Sequence, residues 1–133
     1  PTLMFRNKFS VLPREWFASY GGDYILTSYL GNFGSNLLVA DFFGSIQLQN
    51  PFSTWTPLDE QTKNLNRLRS RYAILFMNER LKNRQAIDDC KHICKLFEDL
   101  VSKQEAAKIK EDCLKVIEIA KDYKVSDLDY QIF

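Results

Sequence analysis

The chain has 133 residues and a mass of 15.6 kDa, the size of one domain, with 45% hydrophobic and 26% charged residues, which excludes a disordered tail or a fibre. No run approaches the roughly 18 apolar residues of a membrane span, and a net charge of +1 selects no partner by itself.

Composition changes near Pro57. Residues 1–60 hold 12 of the 18 aromatics, all five Gly and all four Pro, and from Tyr24 to Leu58 only Asp41 carries a charge. After Pro57 the chain has neither Gly nor Pro, and Ala, Leu, Lys, Glu and Arg favour helix by propensity. No Ser/Gly linker separates the halves, so residues 1–133 read as a single domain, with an aromatic, turn-rich part over 1–56 and a helical part over 57–133.

In chain order, Phe5, Phe9 and Val11 alternate with Arg6, Lys8 and Ser10, the period of a half-buried strand. Pro13 can open a short helix through Tyr20, because its missing N–H falls where a helix has no acceptor, and Gly21-Gly22 would end it. Residues 24–43 are ambiguous. Ile25, Leu26, Tyr29 and Leu30 fit a helical face between Asp23 as N-cap and Gly31 as C-cap. They also fit, with Leu37, Leu38, Val39, Phe42 and Phe43, a pair of buried strands around an Asn32–Ser35 turn. The balance falls narrowly to strands. Ile46 and Leu48 then alternate with Ser45, Gln47 and Gln49 as a further strand.

Thr56-Pro57 is read as a helix start, with Asp59 and Glu60 in the first turn where the dipole favours negative charge. Leu58, Leu65, Leu68, Tyr72, Leu75 and Phe76 share a face, and residues 73–77 are apolar all round, so this helix should run between other elements. A second helix spans about Arg84 to Val101, with Ile87, Cys90, Cys94, Phe97 and Val101 in a stripe. Ser102-Lys103-Gln104-Glu105 has the capping-box pattern and opens a third, striped by Ala106, Ile109, Cys113, Val116, Ala120 and Tyr123. The last two helices are expected to form an antiparallel hairpin. The expected fold is therefore α+β, a small N-terminal antiparallel sheet with a C-terminal bundle of about three helices; the alternative is a mainly α domain.

Candidate chemistry is sparse. Cys90, Cys94 and Cys113 suggest three thiols converging near His92, but His92 lies two residues from each of the first two and projects to the opposite side. No C-x₂-C knuckle occurs either. Neither a metal nor a cofactor is expected. Thiols on apolar stripes point to a reducing compartment, cytoplasmic or nuclear. No nucleophile elbow, H-E-x-x-H or glycine-rich phosphate loop is present, and Asp41 is the one carboxylate in an uncharged setting. The chain does not read as an enzyme.

Two surface features remain. Residues 63–84 carry seven cations against Glu79 alone, and Lys63, Arg67 and Arg71, each four apart, predict an exposed basic ridge. The aromatic half offers Trp16, Phe33, Phe52 and Trp55 as partner anchors, with Trp55 alternatively stapling the connector back onto the long helix. The combined expectation is a non-enzymatic protein–protein interaction module, a small adaptor, inhibitor or immunity-type protein whose ridge steers an acidic protein partner. Nucleic-acid binding by the 63–84 ridge is the alternative, and a small enzyme or ligand-binding domain with an apolar pocket comes third. The tail Tyr130 to Phe133 also fits a Tyr-x-x-hydrophobic sorting pattern.

Overall fold

A computed structural model describes residues 12–34 and 53–122. A 3₁₀ turn, Arg14–Ala18, is followed by α1 (Gly22–Gly31), α2 (Glu60–Arg80), α3 (Arg84–Glu98) and α4 (Lys103–Ala120). The expected sheet is corrected: the described residues are 74% helical and contain no strand. Residues 24–31 are helix, not strand, because their burial runs at helical spacing. Ile25 is fully buried and Tyr29 packs on the core, while Tyr24 and Thr27 face outward. Thr27 Oγ1 also donates to the Asp23 carbonyl one turn earlier at 2.8 Å, an intrahelical bond that strands lack. The alternations at 5–11 and 45–49, Asp41, Phe52 and the 130–133 tail lie outside the described residues.

The helix ends follow local chemistry. α2 begins at Glu60, later than the expected Thr56-Pro57, because Asp59 is the residue that caps: its Oδ1 accepts from Thr62 N–H at 2.8 Å. Thr56 instead turns the connector, donating its N–H to Ser53 Oγ at 2.9 Å. α2 ends without glycine. Lys82 takes the left-handed conformation (φ 58°), and the N–H groups of Lys82 and Asn83 return to the carbonyls of Glu79 and Asn78, a Schellman closure. Asn83 then caps α3, accepting from Ala86 N–H at 3.2 Å. The capping box at α4 is present in full, with Ser102 Oγ accepting from Glu105 N–H and the Glu105 carboxylate accepting from Ser102 N–H.

α2 is the central element. Leu68, Tyr72, Ala73, Ile74, Leu75 and Met77 are all buried, as its all-round apolar stretch requires. α3 packs along one side of it; α4 and the 3₁₀ turn pack on another, and α1 closes against α2 and the turn. The expected hairpin is thus modified: α3 and α4 are joined by a short turn but barely touch, α3 directing its stripe at α2 and α4 directing its own at α2 and the 3₁₀ turn. Gly22 lets α1 approach closely, since a Cβ there would lie 2.5 Å from the Trp16 ring.

Candidate functional site

Two polar clusters tie distant segments together. Glu15 is 1% exposed and takes a bidentate pair from Arg80, Nε to Oε1 at 2.7 Å and Nη2 to Oε2 at 2.9 Å. Asn78, also buried, donates to the Ile74 carbonyl and accepts from Asn32, whose Oδ1 accepts in turn from Asn83 at 2.7 Å. The second cluster pins the end of α1 to the turn between α2 and α3. Both satisfy buried polar groups and hold the frame rigid.

On that frame, side chains from four segments converge above the middle of α2. Tyr20 follows the 3₁₀ turn, Tyr24 comes from α1, Trp55 from the connector and Phe97 from α3; with Arg67 and Arg71 they line a cleft of ≈190 Å³. Tyr20 is anchored from below, its N–H donating to Ser70 Oγ at 3.0 Å. Its ring lies 5.7 Å from that of Trp55, tilted by 43°. Arg67 sits 5.4 Å from the Trp55 ring centroid and donates to Glu60 (2.8 Å) and Asn64 (3.0 Å). Arg71 sits 5.2 Å from the Tyr24 ring and 5.8 Å from that of Phe97. Among the described residues no carboxylate pairs with Arg71.

The ridge expected at Lys63, Arg67 and Arg71 is therefore half-buried, not exposed. Aromatics from outside the helix cover Arg67 and Arg71, a juxtaposition that spacing along α2 cannot show. The local charge is also partly used: Arg67 meets Glu60, Arg80 meets Glu15, and Arg69 Nε donates to the Ala18 carbonyl at 2.9 Å. Trp55 joins the cleft and also folds the connector back onto α2. Trp16 is half-buried against the core and over Gly22, so it packs as much as it presents. Phe33 is 68% exposed, in an edge-to-face pair with Tyr29 at 5.0 Å, away from the cleft lining. Tyr20 belongs to the aromatic-rich half that the sequence marks as a candidate surface, whereas Tyr24 and Phe97 carry no signature, each being the one aromatic its helix sends to the cleft.

The thiols do not converge. Cys113 lies against the Arg69 carbonyl (3.6 Å) on the α4 side, whereas Cys90 accepts from Asn78 Nδ2 (3.7 Å) on the α3 side. Burial pushes the Cys94 thiol up to about 12 and that of Cys113 to about 11, so both are neutral at physiological pH. Burial also raises the Cys90 thiol. No group of three or more His, Cys, Asp or Glu side chains among the described residues is arranged to hold a metal ion, and His92 is exposed.

Two other crevices open elsewhere. One, bordered by Arg14, Tyr29, Arg80 and Lys121, has cations already met by Glu15 and Glu118 beside the carboxyl ends of α2 and α4. The other, between Tyr72, Glu98 and the lysines 95, 103 and 110, is open and of mixed charge. No helix of the described residues is long and apolar enough to cross a membrane. Compared with known families, curated proteins and solved structures, the chain matches none.

Proposed function

We propose that the chain is a protein-interaction module whose partner docks at the cleft of Tyr20, Tyr24, Trp55, Arg71 and Phe97. The observation that carries this reading is composition at one place: Tyr, Trp and Arg, the residues that dominate binding hot spots, are gathered on a rigid helical frame. Tyr24 is 54% exposed and Tyr20 40%. Covering about 100 Å² of tyrosine surface contributes roughly 2.5 kcal/mol by area, enough for one residue to matter. Arg71, which no carboxylate among the described residues pairs with, supplies positive charge in surroundings that aromatic rings partly desolvate, which favours an acidic partner.

Nucleic-acid binding is the weaker reading. Three of the five arginines of the 63–84 segment already have internal partners. The remaining cations, Lys63 and Arg71 along α2 and Lys82 and Arg84 at the turn beyond it, are split between two places and would neutralise few phosphates at either. Affinity capture with the full chain separates the two. A protein partner that survives added salt and is lost with Trp55→Ala and Tyr24→Ala supports the reading. Recovery of nucleic acid that falls steeply with salt and is unmoved by those substitutions overturns it.

A further inference from the structure

The two arginines of the cleft differ in what their guanidinium groups still have to offer. Arg67 gives its face to Trp55 and its donors to Glu60 and Asn64. Arg71 has ring faces at Tyr24 and Phe97, and no carboxylate among the described residues takes its N–H fork. A planar fork held by rings keeps its orientation without using its hydrogen bonds, so it is preorganised for one bidentate oxyanion. A single guanidinium without a carboxylate partner among the described residues matches a monoanionic carboxylate better than a phosphate dianion.

The apolar part of the cleft fits a single side chain. At ≈190 Å³ it is below the size of drug-like ligand sites but above the ~150 Å³ that encloses a benzene ring. Trp55 stands at Arg67 and the Arg71 fork is one helical turn away, about 6 Å along α2. An extended peptide covers that distance in about two residues.

Resting on the protein-binding reading above, we infer that the partner presents a two-point element. A bulky apolar or aromatic side chain enters between Tyr20, Tyr24, Trp55 and Phe97, and an Asp or Glu one or two residues away pairs with Arg71. The recognised chemistry is a short acidic peptide segment with an apolar anchor.

The test is selection of a random, unphosphorylated displayed-peptide library on the full chain, followed by calorimetric titration of a selected peptide. Enriched sequences should place Asp or Glu within two positions of a bulky apolar residue. Arg71→Gln should weaken binding about tenfold, and so should the peptide's Asp→Asn analogue, with the double change no worse than either alone. Arg84→Gln, at an exposed arginine outside the cleft, should cost less than about twofold. Arg71→Lys, which retains charge but not the fork, should give an intermediate loss, and circular dichroism of each variant verifies the fold. Peptides that lose binding to Trp55→Ala yet ignore Arg71→Gln would overturn the inference while leaving the protein-binding reading standing. A library with no sequence enriched over the Trp55→Ala control overturns both.

Discussion

Arg71 and Arg80 belong to one helix and live in opposite circumstances. At the carboxyl end of α2, Arg80 closes on a carboxylate that is almost fully buried, with both donors engaged and the opposing segment 65 positions away in sequence. Nearer the middle, Arg71 is packed by rings and leaves its donors unclaimed by any described carboxylate. A buried ion pair is costly to break because the surviving partner stays desolvated, whereas a ring-flanked arginine can be removed with little consequence for folding. The contrast separates a residue that holds the frame from one available to a partner.

The largest expected effect breaks the closed end. Arg80→Ala leaves Glu15 buried, with Arg14 at 3.7 Å its one remaining cation among the described residues, and should lower the unfolding free energy by about 3 to 5 kcal/mol in urea titrations. Arg71→Ala, which loses two ring contacts at a half-buried position, should cost about 1 to 2 kcal/mol in the same titration. Equal losses for the two would erase the distinction between them.

The supporting frame of the cleft can be probed through glycine. Gly22→Ala places a methyl group 2.5 Å from Trp16 and should destabilise by about 1 to 3 kcal/mol. Gly31→Ala meets nothing within 4 Å and should stabilise by up to about 1 kcal/mol. Because Tyr24 rides on α1, the first change should also weaken binding at the cleft. Beyond the arginine end of α2, Lys82→Gly relieves a left-handed non-glycine backbone and should raise stability by about 1 kcal/mol, seen as a higher urea midpoint at unchanged slope.

The smallest effect is at the caps. Hydrogen bonds from Thr62 hold the Asp59 carboxyl below its ordinary 3.8, and those from Ser102 hold Glu105 below 4.5. A depressed folded-state pKa means that each contribution is present at neutral pH and fades as pH falls through the folded value. The melting-temperature difference between wild type and Ser102→Ala should therefore be largest near neutrality and shrink in acid.

Periodicity and capping act over a few residues, so the three long helices, the apolar girth of α2 and the Ser102–Glu105 box were legible from the chain alone. The end of α2 was less so, because Lys82 stands where glycine would have marked the Schellman turn. Residues 24–31 were misread because short apolar runs suit either period until something packs on one face; α2 and the 3₁₀ turn supply that face. The arginines were visible as a charged series and, by their spacing, as one exposed ridge, without their individual partners. Which of them would meet Glu60, the Ala18 carbonyl or Glu15, and which would meet only rings, depended on segments up to 65 positions away. Charge and aromatic contacts form through space, and a linear sequence records their ingredients without their distances.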